Sequence, residues 1–218
     1  RLAYVVAGAI FVLTPNLILL AVALVTPRFW AELLLTDAGH APVLVATMVL
    51  IVGMASFTVV LARYRGTGGI GRANLWQLWV IALGPALVAA PLARSGRVDL
   101  IVLLTGAVAL TTAIPVVRWM MRAAAERIGW ADVRPRLQEL MRYGVPRVPG
   151  GLAFGGLMAI GPFMAPYVGS LRDAGFLVAG QSILRMVEGA TSAFSLVALP
   201  KVAALRARPQ HDSLRARV

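Results

Sequence analysis

The sequence predicts an all-α fold, a polytopic membrane helix bundle, on three observations. Hydrophobic residues make up 59% of the 218, charged residues only 14%, and mean hydropathy is +0.80, values that do not describe a water-soluble surface. The apolar residues are gathered into runs of about 20, the length a helix needs to cross ~30 Å of hydrocarbon. No period-2 alternation of the barrel type appears, and a lipid-exposed strand edge would leave its backbone unpaired.

Six segments meet the length, at residues 2–26, 43–62, 74–93, 98–117, 149–169 and 174–199. The first begins at Arg1 with neither a charged leader nor a small-residue cleavage site, so the chain reads as a piece of something longer. Breakers interrupt several spans: Pro15 in the first, Pro85 in the third, Pro115 near the inner end of the fourth, Pro162 and Pro166 in the fifth. Each removes a backbone donor that neighbouring helices or Ser/Thr hydroxyls must replace. Gly151 and Gly155 form a GxxxG pair, and Gly156, Gly161, Gly180 and Gly189 add small surfaces, so close helix packing is expected there. A cavity lined by broken helices is the other reading of the fifth span.

Orientation follows from Lys and Arg. One set of loops holds 16 of them against four acids, and the opposite set, at 27–42, 94–97 and 170–173, holds four against four when Asp99, at the outer end of the fourth span, is counted with it. The positive-inside rule makes the first set, and both ends of the chain, cytoplasmic. Trp and Tyr agree: Tyr4, Tyr64, Trp76, Trp79, Trp119, Trp130 and Tyr143 fall toward the inner face, Trp30 and Tyr167 toward the outer.

Residues 118–147 are the polar exception, with seven arginines against three acids. Asp132 makes a reasonable helix start, and Leu137, Leu140 and Met141 recur at helical spacing opposite Arg134, Arg136 and Glu139. This is either an amphipathic helix lying in the inner headgroup layer beside anionic lipids, or a solvated linker. The net charge of +12 does not mark a nucleic-acid binder, because the arginines fall in short clusters between apolar runs and no binding fold accompanies them.

No enzyme site is legible. Gly66, Gly68 and Gly71 fit G-x-G-x-x-G, but they follow a membrane helix where a dinucleotide fold needs a buried strand, and they read as a flexible hairpin. His40 and His211 stand alone, cysteine is absent, and neither a metal site nor a cofactor is expected. The sixth segment carries more. Gln181, Arg185, Glu188 and Ser192, at i, i+4, i+7 and i+11, share an arc of roughly 60°. A charge at the depth of Arg185 costs at least ~2.5 to 3.5 kcal/mol, so the stripe should face protein or water. It is a substrate-cavity lining or an Arg185–Glu188 ion pair that helps the helix dock.

Two stretches carry a resemblance: MRYGVPRVPGGLAFGGL (141–157) and GFLVAGQSILRMVEGATSAFSLVALPKVAAL (175–205). The basic-Tyr-Gly-x-Pro entry into a helix, the Gly-x-x-x-Ala-Gly opening of the next and the Pro200-Lys201 ending resemble the second lobe of polysaccharide biosynthesis proteins, the Wzx-type flippases of lipid-linked oligosaccharides. Their superfamily also holds multidrug antiporters. The resemblance implies a two-lobe transporter of twelve or more spans. Residues 1–117 would be the last four helices of the N-terminal lobe, 118–148 a basic cytoplasmic connector, 149–199 the first two helices of the C-terminal lobe, and 200–218 a basic cytoplasmic tail.

The implied activity is translocation of a polyprenyl diphosphate-linked saccharide across the bacterial inner membrane by alternating access. Polysaccharide assembly proteins would be partners. Arg185 would meet the diphosphate or sugar acids, Gln181 and Ser192 sugar hydroxyls, and Glu188 a coupling cation. Arg147 either meets the headgroup first or is a snorkelling topology arginine. Three competitors remain. A drug or cation antiporter needs a carboxylate pocket, yet the first four spans hold no Asp or Glu beyond Asp99 at the outer end of the fourth. A membrane glycosyltransferase needs catalytic outer loops, which are short here. The third is a scaffold without transport.

Overall fold

The computed structural model of the chain describes residues 2–35, 37–170, 172–173 and 175–184. The described residues form helices and turns with no strand, and five helical stretches are long and apolar enough to cross a membrane: Leu2–Val25, Ala38–Gly66, Ile70–Leu92, Val98–Ala125 and Trp130–Ala165. The chain is therefore an all-α membrane helix bundle. Of the sixth expected span, a helix over Gly175–Leu184 is described and the remainder lies outside the described residues. By contacts the chain divides into a unit of residues 1–146 and a unit of residues 147–218.

The first unit is built around one helix. Helix α1 spans Leu2–Val25, α2 Pro27–Leu35, and α3 Ala41–Gly66. Next come α4 (Ile70–Gln77), a π-helical turn (Leu78–Leu83), α5 (Gly84–Leu92), α6 (Val98–Leu110), α7 (Ala113–Ala125) and α8 (Trp130–Gly144). Helix α3 lies at the centre and touches α1, α2, α4, α6 and α7. Its Val59 and Val60 join Ala9, Val116 and Trp119 in one core, and its Phe57 joins Val80 and Ala109 in another. Outside these cores the spans carry a large exposed apolar surface, including Leu17, Ile18, Leu19 and Leu87. In water such a surface would aggregate; facing lipid it needs no partner.

Glycine sets the closest approach, between α3 and α6. A Cβ on Gly53 would stand 2.6 Å from the Ala109 Cβ, and one on Gly106 would stand 2.9 Å from the Leu50 backbone nitrogen. Gly84 likewise admits Val108 from α6. The tight packing expected at Gly151, Gly155, Gly156, Gly161 and Gly180 is not found among the described residues, where a Cβ on any of them would meet nothing within 4 Å. Gly189 lies outside them. A GxxxG pair supplies close approach only where a second helix crosses it, and the crossing falls on α3 and α6 instead.

The prolines act as the sequence anticipates. Pro15 leaves α1 helical, with the Asn16 side chain donating to the Val12 carbonyl at 2.7 Å beside the missing bond. Ahead of Pro85 the chain widens into the π-helical turn, which relieves the clash between the proline ring and the carbonyl one turn earlier. Ahead of Pro115, α6 and α7 separate at Thr111 and Thr112. There the Thr111 carbonyl accepts from Ile114 N–H at 3.2 Å, and the two hydroxyls donate back to Val108 and Ala109 carbonyls at 2.6 Å each. The Trp79 indole N–H donates to Thr111 Oγ1 at 3.2 Å, joining the π-helical turn to the α6–α7 break.

Two elements differ from expectation. The stretch 27–42 is not a plain loop: Pro27 at a helix start opens α2, which buries Ala31 and exposes Phe29 and Leu33. The basic helix α8 begins at Trp130, with Asp132 accepting the Gly129 N–H at 3.0 Å. What the sequence does not anticipate is its contact with another helix: it runs beside the first turns of α1. Tyr4 donates its hydroxyl to Glu139 at 2.8 Å and accepts from Arg136 at 3.2 Å, and Gly144 reaches Phe11. The cause is the apolar stripe: Val133 is buried and Leu137 and Leu140 half-buried, a better use of that face than lipid headgroups offer.

A 3₁₀ turn at Val145–Arg147 leads into the second unit, where α9 spans Val148–Val168 and α10 covers Gly175–Leu184. Between them Asp173 caps the turn by accepting from the Ser170 N–H and hydroxyl, at 2.9 and 2.6 Å.

Candidate functional site

The polar stripe that the sequence singles out begins in α10. Of its four residues, Gln181 is described, and Arg185, Glu188 and Ser192 lie outside the described residues. Gln181 is half-buried and donates from Nε2 to the Met158 carbonyl of α9 at 2.6 Å. The choice of acceptor has a cause. Met158 lies four residues before Pro162, so its carbonyl is the one that loses its helical donor to the proline. Gln181 replaces that donor from the neighbouring helix, and its amide thereby fixes α10 against α9.

A double-mutant cycle checks this reading. Gln181→Leu is expected to destabilise the chain in detergent by about 0.6 to 1.7 kcal/mol, the range of hydrogen bonds between membrane helices. In a Pro162→Ala background the restored N–H occupies the Met158 carbonyl, and Gln181→Leu should cost almost nothing. Equal costs in the two backgrounds, measured by thermal unfolding, would refute the assignment.

Arg147 closes the 3₁₀ turn immediately before α9, with its side chain exposed. It stands at the entry of the helix rather than within its span. Among the described residues no group of His, Cys, Asp or Glu is placed to hold a metal ion.

The first unit gathers a second set of polar groups that the sequence scatters over more than 130 positions. Tyr4, Arg63, Arg65, Arg72, Trp119, Arg122, Arg136 and Glu139 all fall at one end of the bundle, the end where the loops rich in arginine meet. The opposite end carries His40 with Asp37 at 3.4 Å and Arg97 with Asp99 at 3.5 Å, pairs in which an acid stands beside the basic side chain. The bundle is thus polarised in charge along its axis.

At the arginine-rich end a cavity of about 530 Å³ opens between α1, α3 and α8. Its wall is largely apolar, from Val5, Phe11, Val12, Val59 and Leu140, with Tyr4, Arg63 and Thr67 at the polar rim. The Arg63 guanidinium lies 4.5 Å over the Trp119 ring, and Tyr64 meets the same indole edge-on at 5.7 Å. Such stacking holds a long cation in place without an ion pair. Arg63 and Arg65 close α3, where the negative end of the helix dipole favours cations.

Comparison with protein-family models, with curated proteins and with solved structures gave no match to this chain. What the chain does therefore rests on its own residues.

Proposed function

We propose that the chain is part of a flippase that carries a polyprenyl diphosphate-linked oligosaccharide across the bacterial inner membrane by alternating access, for the assembly of a surface polysaccharide. The observation that carries the reading is the irregularity of the membrane helices at depth. The π-helical turn ahead of Pro85, the α6–α7 break ahead of Pro115 and the Met158 carbonyl that Pro162 leaves without its helical donor each interrupt a span that hydropathy alone would leave straight. Interrupted spans suit a protein whose helices bend around a cargo. The charge polarity of the bundle supports a cytoplasmic arginine-rich end, and the sequence resemblance over 141–157 and 175–205 supports the cargo class.

In this reading the units on either side of residue 147 belong to two lobes, and α8 is the connector docked on the first. Arg185 draws the diphosphate, while Glu188 takes a coupling cation and Ser192 a sugar hydroxyl. Gln181 bonds α9 and is released to cargo only if α9 rearranges. Arg147 receives the headgroup at the cytoplasmic mouth. The direct test is reconstitution of the full-length protein in liposomes with a fluorescent polyprenyl diphosphate-linked oligosaccharide. Protein-dependent loss of accessibility to an external quencher is expected; a rate equal to that of empty liposomes would reject the proposal.

A further inference from the structure

The G-x-G-x-x-G turn has no role in the flippase reading, yet it forms one wall of a distinct pocket in the first unit. The pocket holds about 720 Å³ and lies between the α3–α4 turn and α7. Four arginines line it, Arg63, Arg72, Arg118 and Arg122, and no acidic side chain does. None of the four makes an ion pair among the described residues. Arginines set together without counter-charges repel one another, and an anion relieves the repulsion.

The turn supplies more than a wall. Thr67, Gly68 and Gly69 N–H groups are consumed in closing α3, on Arg63, Arg65 and Tyr64 carbonyls, with Gly68 at φ +76°. The next three N–H groups, of Ile70, Gly71 and Arg72, open α4 and have no acceptor within it. Helix starts of this kind favour phosphate, and here the guanidiniums add the charge.

The pocket is not closed on its membrane side. Tyr64, Pro115 and Arg118 also line a second cavity of about 660 Å³, continued by Leu75, Leu78, Trp79, Leu83 and Ile114. From Leu75 to Leu83 the groove follows the helix for about 12 Å toward the middle of the span. A cationic head chamber opening into a long apolar groove matches one kind of ligand, a lipid with a phosphate headgroup. We propose that this site binds an anionic phospholipid, its phosphate among Arg72, Arg118 and Arg122 and one acyl chain in the groove against Trp79. The proposal does not depend on the flippase reading.

Acyl-brominated lipids quench tryptophan on contact, and Trp76, Trp79 and Trp119 line the two cavities. The full chain, in nanodiscs of phosphatidylcholine with about one lipid in ten brominated, should be quenched several-fold more by brominated phosphatidylglycerol than by brominated phosphatidylcholine. Arg118→Gln with Arg122→Gln should bring that preference down to parity, and Arg122→Gln alone should bring it part of the way. Arg134→Gln with Arg142→Gln, an equal loss of charge on α8, should leave it intact. Equal quenching by the two lipids in the unaltered protein would overturn the site, whatever the variants do. An equal fall in both double variants would reduce it to a diffuse field, and loss of the preference on adding millimolar inorganic phosphate would make it a soluble-phosphate site.

Discussion

Gly106→Leu is expected to abolish folding of the first unit, with no monodisperse protein recovered in mild detergent. The Cβ alone would lie 2.9 Å from the Leu50 nitrogen and 3.0 Å from its Cα, so the obstruction is backbone and cannot rotate aside. Overpacking of a close contact costs about 1 to 3 kcal/mol for small additions, and Gly106→Ala should already fall in that range. The leucine adds three more carbons at the same crossing. Gly53→Leu should behave alike, since its Cβ would meet Ala109 at 2.6 Å. The contrast is Gly151→Leu, where the added side chain meets nothing within 4 Å among the described residues and helix propensity improves by up to ~1 kcal/mol. If Gly106→Leu and Gly151→Leu had the same thermal midpoint, the α3–α6 crossing would not be the contact that holds this unit.

Arg185→Ala is expected to remove transport while the protein still inserts and accumulates. An arginine in mid-span is retained against an insertion cost of about 2.5 to 3.5 kcal/mol, so its loss should ease insertion rather than impair it. On the proposed flippase reading, a diphosphate would lose a charge-assisted partner, and the flipping rate should fall to that of empty liposomes. Arg185→Lys keeps the charge but not the planar fork and should recover only part of the rate. A normal rate in Arg185→Ala would leave the residue as a docking ion pair with Glu188. Lowered accumulation with a normal rate per molecule would point the same way.

The spans were legible because hydropathy is a property of each segment alone. The gathering of arginines toward one set of helix ends was legible for the same reason. Contacts between segments were not. Nothing in the sequence says that Gly53 and Gly106 sit at a helix crossing while Gly151 and Gly155 meet nothing among the described residues, because each of these glycines sits in a similar apolar run. The place of α8 depends on Tyr4, 135 residues away from Glu139, and an amphipathic pattern specifies a face but not what covers it. The polar stripe and the family resemblance together point Gln181 toward sugar hydroxyls. Its bond to Met158 could have been suspected from Pro162, whose missing N–H announces an unpaired carbonyl one turn earlier.

The bond from Trp79 to Thr111 links the two irregular points of the first unit, one in the π-helical turn and one between α6 and α7. Were either point to straighten alone, an indole N–H and a threonine hydroxyl would part, at a net cost of about 0.5 to 1.5 kcal/mol. Two joints tied in this way behave as a single crankshaft: turning one shaft turns the other, and the bundle has one bending coordinate where its helix breaks alone would give it two.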